Sequence, residues 1–309
     1  MSRRVVALGG GHGLAGTLRA LRTLGIDPVA IVGTGDDGGS SGRLRAHLGV
    51  PPPGDLRMAI AALADEGLWL RVLQHRFGGS GDVEGHALGN LLLVALWEET
   101  GDILAGLDRL GTVLGAHGRV LPNCLEPVEV VADVRDASGV AHEVRGQARI
   151  TAAHGSIAAL RLQPPDPPAC PAALDAVREA SVIVIGPGSW YTSVLTHALV
   201  PGLARALRDA RAPRILVLNA GPQRGETEGF TAARHLTAWA EHAHGIGIDV
   251  VLADPRSVDD PRALEAAAAR VGARLHVAPV LAGPGKHDPP RLGAALGAVM
   301  DSLEGAGRP

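Results

Sequence analysis

Two glycine-rich runs near the start of the chain have a composition suited to phosphate. The first is Gly9-Gly10-Gly11-His12-Gly13-Leu14-Ala15-Gly16, and the second is Asp36-Asp37-Gly38-Gly39-Ser40-Ser41-Gly42-Arg43. Glycine lets backbone N–H groups approach an anion closely, and a helix beginning behind such a loop adds a partial positive charge. Gly9 to Gly13 and Gly38 to Gly42 are therefore expected to cradle a diphosphate. Asp36 and Asp37 repel each other unless solvated, paired or metal-bound. One reading gives one of them a ribose hydroxyl and the other Mg²⁺ carried with the diphosphate. The other reading is a solvated turn in which Asp37 bonds locally to the backbone. Ser40 and Ser41 add hydroxyls that suit phosphate or sugar oxygens. Arg43 and Arg57 either clamp a phosphate bidentately or lie on the surface.

A third run, Gly186-Pro187-Gly188-Ser189-Trp190-Tyr191-Thr192-Ser193, offers exposed amides and hydroxyls. Ser189, Tyr191 and Thr192 are expected to face a nucleotide or sugar, and Tyr191 is the single tyrosine of the chain. Asn219 presents a side-chain amide that can read a base or a sugar. Thr227 follows on the polar loop Gln223–Gly229. The chain holds 13 histidines, but none forms a pair spaced for zinc around a glutamate. His12 is the outlier, because it sits inside the phosphate-type loop. No nucleophile elbow and no Walker-type lysine loop occurs.

The elements that must position these loops read as alternating strands and helices. Residues 4–9 form a strand, 14–25 a helix closed by Gly25, and 28–33 a second strand, which is a βαβ unit and implies a parallel sheet. A helix follows over 51–66 with Asp55 as its cap, and another over 86–97. From about 127 to 163 the texture alternates, with a turn at Asp136-Ala137-Ser138-Gly139, so this stretch is read as a β-rich insertion. A proline-rich linker at 164–168 leads back to strands at 181–185, 215–219, 250–252 and 275–278, and to a helix over about 290–303. Residues 304–309 are expected to fray. The fold class is α/β: a three-layer, Rossmann-like, mostly parallel sheet in a single nucleotide-binding domain over 1–309.

Composition narrows the classes further. The 309 residues carry a net charge of −3, which gives no overall field favouring nucleic acid. Aromatic residues make up only 2%, so the core must come from Val, Leu, Ile and Ala. The apolar run after Arg4 is too short for a signal peptide, and Leu91–Trp97 is far below a membrane span. Cys124 and Cys170 lack metal-type spacing, and a reduced cytoplasmic setting is expected. The Val200-Pro201-Gly202 segment and the apolar helices either support the expected homodimer or belong to the core.

Five motifs in order then carry a resemblance. They are Gly9-Gly10-Gly11-x-Gly13-Leu14, the run Asp36–Arg45, Pro51-Pro52-Pro53-Gly54-Asp55-x-Arg57, Gly85-His86-x-Leu88-Gly89-Asn90-Leu91, and Ile185-Gly186-Pro187-Gly188-Ser189-x-Tyr191-Thr192-Ser193. Over residues 4–300 the chain resembles the YvcK family, also called the gluconeogenesis factor family, within the CofD-like superfamily. The resemblance implies a cytoplasmic, non-catalytic regulator that binds UDP-N-acetylglucosamine and supports cell shape and gluconeogenic growth. It implies action on the enzyme forming glucosamine-6-phosphate, with no nucleic-acid or membrane partner. Leu14, Asp55, Arg57 and Asn90 join the ligand-binding set on the same ground. The related 2-phospho-L-lactate transferases imply an alternative, an enzyme using a nucleotide-diphosphate donor with Mg²⁺ at Asp36 or Asp37. A nicotinamide-dependent oxidoreductase also fits Gly11-x-Gly13-x-x-Gly16, but no general acid accompanies it. The chain departs from the family pattern at His12, Phe230, the alanine-rich Glu265–Gly272, and Lys286-His287-Asp288, where lysine cannot make the planar fork of arginine.

Overall fold

The computed structural model describes residues 3–136, 138–223 and 225–305. Ala137 of the expected turn, Arg224 of the polar loop and residues 306–309 of the expected frayed tail lie outside the described residues. The chain begins with β1 (Val5–Gly9), α1 (Gly11–Arg22), β2 (Val29–Val32), α2 (Gly39–Leu48) and α3 (Pro53–Leu63). It continues with α4 (Leu68–Gln74), α5 (Leu88–Thr100), α6 (Ile103–Val113) and β3 (Arg119–Pro122). The insertion holds β4 (Glu129–Arg135), β5 (Ala141–Arg145), α7 (Gln147–Ala152) and β6 (Ser156–Gln163). Then come α8 (Pro171–Glu179), β7 (Val182–Ile185), α9 (Pro201–Asp209), β8 (Arg214–Val217), α10 (Ala232–His242) and β9 (Val250–Ala253). The last elements are α11 (Pro261–Arg270), β10 (Arg274–Val277), the short pair β11 (Leu281–Gly283) and β12 (Lys286–His287), and α12 (Pro289–Gly305).

Seven strands form the main sheet in the order β10-β9-β8-β7-β1-β2-β3, all parallel. Side chains alternate across each strand, so one strand feeds two cores. Val5 and Ala7 join Leu14, Leu18 and Leu21 of α1 with Leu56 and Ile60 of α3. Val6 and Leu8 join the opposite core, with Val177 of α8, Leu203 of α9 and Leu236 of α10. The result is the three-layer architecture that the strand and helix spacing predicts. The insertion is a separate antiparallel sheet in the order β5-β4-β6. Its turn is held by Asp136 Oδ1, which accepts from Ser138 N at 2.8 Å and Val140 N at 3.1 Å.

Several boundaries differ from the sequence reading for local reasons. α1 begins at Gly11 rather than residue 14, and the expected second loop becomes helix from Gly39. Both starts are glycines and neither has a side-chain cap, unlike α6, α10 and α11, which are capped by Asp102, Thr231 and Asp260. Asp55 is no cap: α3 starts after Pro52, and Asp55 lies inside its first turn. No helix of the described residues is long and apolar enough to cross a membrane.

α1 packs so closely on the loop behind β7 that a Cβ at Gly13 would overlap the Pro187 carbonyl, whereas a Cβ at Gly16 meets nothing within 4 Å. Gly13→Ala should therefore destabilise the protein by about 1–3 kcal/mol through overpacking. Gly16→Ala, in the same helix, should stabilise it by about 0.5–1 kcal/mol by restricting the unfolded chain. Denaturant unfolding of the two variants measures both.

Candidate functional site

β1 and β7 are neighbours in the main sheet, and the chain leaves them toward opposite edges. Such a switch point opens a crevice at the carboxyl ends of the strands. A cavity of about 670 Å³ occupies this place. The start of α1 forms one wall with His12, Gly13 and Arg19, and Pro187 and Gly188 form the next. Asn219 and Gln223 from the loop after β8 continue the lining, which Lys286 and His287 of β12 complete. Gly10 is extended and carries no side-chain cap bond to the first turn of α1. Apart from the Gly11 N–H, which bonds to Asp55, the first-turn amides of His12 and Gly13 have no partner among the described residues, and Lys286 and Arg19 lie on the same cavity.

Two polar braces set this cavity. Asn219 accepts from Gly188 N at 3.0 Å and donates to Gly188 O at 2.9 Å, so its amide locks the β7 and β8 loops together. Asp254, at the end of β9, accepts from Val280 N at 2.7 Å and Leu281 N at 2.8 Å, and Arg256 closes on it. It thereby anchors the hairpin that carries Lys286 and His287. Burial alone would raise Asp254, but the bonds from Arg256, Val280 and Leu281 outweigh burial and hold it at about 2. Burial lowers His287 below the usual imidazole range. Beneath the first loop, the buried His197 donates from Nε2 to the Gly9 carbonyl at 3.1 Å, and burial pushes it down to about 4.

The second glycine run builds a different centre. Asp36 Oδ1 accepts from Gly38 N at 3.0 Å, and Ser41 Oγ accepts from Gly54 N at 3.0 Å. Asp55 reaches from α3 to the first loop, so that a Cβ on Gly10 would stand 2.6 Å from Asp55 Oδ2. Asp36 is raised by burial first. Asp55 is pushed up to about 7, by burial and then by the charge of Asp36, against the Gly11 N–H and Arg57. Asp37 turns away: its Oδ1 accepts from Ala148 N at 2.8 Å at the start of α7. The local backbone bond that the sequence reading offered to Asp37 thus belongs to Asp36, and Asp37 braces the insertion.

These positions bear on Mg²⁺. Two half-buried carboxylates, each raised by burial and one of them further by the charge of the other, suit a divalent cation, and Mg²⁺ is commonly held by one or two carboxylates plus ligand phosphates. Asp36 with Asp55 meets that description, whereas one Asp37 oxygen is spent on α7. Among the described residues no group of three or more His, Cys, Asp or Glu could hold a metal alone. Phosphate oxygens would have to complete the shell.

Around this pair runs a buried chain of hydrogen bonds. Arg57 Nε donates to Asn90 Oδ1 at 2.8 Å, Asn90 Nδ2 donates to Ser40 Oγ at 2.9 Å, and Ser40 meets His86 Nδ1 at 2.9 Å. Since Asn90 uses a lone pair of Ser40, the Ser40 proton points to His86 Nδ1, and burial lowers His86 toward the neutral form. Arg43 donates to the Glu84 carbonyl and ties down the segment before α5. His86, Gln223, Asp254 and Lys286 were not among the expected site residues.

The third run departs most from expectation. Residues Trp190–Val194 form a π-helical turn, followed by a 3-10 turn over Leu195–Leu199. Tyr191 is 1% exposed, packs edge-on against Phe230 and His242, and its hydroxyl has no partner among the described residues. Thr192 Oγ1 donates to the buried Glu226 at 2.5 Å, and Thr227 Oγ1 accepts from Gln223 N at 2.8 Å. Tyr191, Thr192 and Thr227 therefore support the loops instead of facing the cavity. The wide π turn rotates Tyr191 inward, which no 3.6-residue pattern reveals. Ser189 starts this turn, its carbonyl accepting from Ser193 N and Val194 N at 2.9 Å. Gly186 and Gly188 both adopt positive φ, at 70° and 155°.

Two titrations follow. Asp55, raised in the folded state, favours folding below about pH 4 and loses that contribution as pH rises through about 7. Asp55→Asn should then unfold at higher temperature than the parent above pH 7 and lose any stabilisation by Mg²⁺, as calorimetric scans with and without Mg²⁺ would record. Asp254, depressed to about 2, stabilises above about pH 4 and loses this as pH falls toward 2. Asp254→Asn should melt below the parent at neutral pH, with the gap closing in acid.

Comparison with known proteins agrees with this fold. The family model described as 2-phospho-L-lactate transferase CofD matches residues 5–277. A putative gluconeogenesis factor of Mycobacterium tuberculosis is 48% identical across 100% of this chain and 94% of its own length. The gluconeogenesis factor of Bacillus subtilis is 39% identical across 83% of this chain and 80% of its own. The crystal structure of a UPF0052 family member from Bacillus halodurans has a TM-score of 0.87 at 35% identity, covering 96% of this chain and 99% of that one. With its switch-point cavity and its glycine-started helices in place, the chain belongs to the CofD family, among the gluconeogenesis factors.

Proposed function

We propose that the protein is a cytoplasmic regulator whose ligand is the nucleotide sugar UDP-N-acetylglucosamine. In this reading it directs carbon into cell-wall amino-sugar precursors, by acting on the enzyme that forms glucosamine-6-phosphate, and so supports gluconeogenic growth and cell shape. The switch-point cavity carries the reading. Its volume of about 670 Å³ falls within the range of about 300–1,000 Å³ that small-ligand sites occupy. The first-turn amides of His12 and Gly13 in α1, with Lys286 and Arg19, suit a diphosphate. Asn219 is committed to Gly188, Gln223 Oε1 accepts from Trp190 N and Asn219 Nδ2, and His287 bonds to the Leu218 backbone, so His12, the Gln223 Nε2 and the second ring nitrogen of His287 are left to meet base or sugar. Mg²⁺, when bound between Asp36 and Asp55, would neutralise phosphate charge beside Gly10 and Gly11.

The regulator reading also draws on the side chains that chemistry would use. Ser40 and His86 are buried within the hydrogen-bonded chain to Arg57, and His197 is spent on the Gly9 carbonyl. The relatives carry the name of a factor. A second reading, transfer from a nucleotide-diphosphate donor, is favoured by the Asp36–Asp55 pair beside the start of α1, because phosphoryl chemistry needs mainly positioning and charge.

Calorimetric titration with UDP-N-acetylglucosamine, UDP-glucose, NADP and GDP, with and without Mg²⁺, separates the two. The expected result is selective binding of UDP-N-acetylglucosamine, recovered intact, and weakened roughly tenfold by Lys286→Ala through loss of one charge-assisted contact. Preference for GDP, or consumption of a donor with a second substrate, would replace the regulator by the transferase.

A further inference from the structure

A second cleft, of about 410 Å³, lies between the insertion and α9 and shares no lining residue with the switch-point cavity. Leu160, Arg161 and Leu162 line it as consecutive residues of β6. Strand side chains alternate between faces, so a cleft touched by three in a row lies at the strand's edge. β6 is the end strand of its sheet and pairs with β4 alone. Among the described residues, no backbone hydrogen bond joins residues 157–162 to any segment but β4. The unpaired edge is a ready template for another strand.

The chemistry facing that edge is apolar below and positive above. Leu199 and Ala204 contribute to the floor, and Arg205 and Arg208 stand at the rim. No carboxylate lines the cleft. Arg161 is already paired with Asp133 and Glu143, and Arg208 donates to the His244 carbonyl at 3.0 Å. Arg205 is exposed and has no carboxylate within ion-pair distance among the described residues.

We infer that this edge receives an extended, acidic segment of a partner protein, which joins β6 as a fourth strand. An apolar side chain of the segment rests on Leu199 and Ala204, and a neighbouring carboxylate pairs with Arg205. The positive rim disfavours a second copy of the same edge. A nucleic acid has no alternating N–H and C=O row to match β6, and it gains little from the apolar floor. The inference stands apart from the identity of the ligand in the switch-point cavity.

The test uses the full chain and a short fluorescent peptide alternating glutamate and valine, against its lysine–valine counterpart. Anisotropy should show binding of the acidic peptide only. Amide exchange should slow within residues 156–163. Arg205→Glu should weaken binding roughly tenfold while leaving the thermal midpoint unchanged. Equal binding of both peptides, unchanged exchange in β6, or indifference to Arg205→Glu would overturn the inference. So would binding of single-stranded DNA in place of the peptide, or self-association that Arg205→Glu abolishes.

Discussion

The backbone contact between the first turn of α1 and the loop after β7 is the constraint on which the rest of the molecule depends. It occurs where two halves of a parallel sheet diverge, and it closes the floor of a crevice whose walls come from four separate loops. Gly13 allows it by leaving the Pro187 carbonyl unobstructed. His197 holds the Gly9 carbonyl on one side of this contact, and Asn219 holds Gly188 on the other. The walls of the cavity are thereby placed by backbone geometry, so their position follows from the sheet itself.

The acidic residues show how the same fold divides labour among like groups. Asp55 lies half-buried beside Gly10, and the charge of Asp36 adds to burial in raising its affinity for a proton. Asp37 and Asp254 instead spend their charge on backbone N–H groups, one at the start of α7 and one at the turn before β11. The first pair keeps charge in a half-buried space, and the second pair keeps the walls in place.

Much of this architecture was legible in the chain because its signals are local. β-branched runs ending in glycine marked β1, β2 and β7, and the Asp136 turn marked the insertion. Long-range pairings were not legible. Asp37 meets a residue 111 positions away, and Asp55 reaches Gly10 only because α3 packs beside α1. The segment from α4 to β3 left little periodic trace beyond α5, and β3 is four residues ending in proline. Tyr191 drew attention as the single tyrosine, yet its place is set by a π turn and by Phe230 and His242.

The attachment of Asp37 to α7 bears on modularity. An inserted sheet is ordinarily a unit that evolution or an engineer can shorten, exchange or remove at its two junctions. Here the insertion draws its helix start from the loop after β2, and Thr151 of α7 abuts the backbone of Gly225 in the loop after β8. Excision would therefore unfasten both loops, and with them the neighbours of Asp36 and Gln223. The β-rich segment is a keystone of the architecture around the switch-point cavity, and any graft in its place must supply an amide for Asp37 and a flat seat for Gly225.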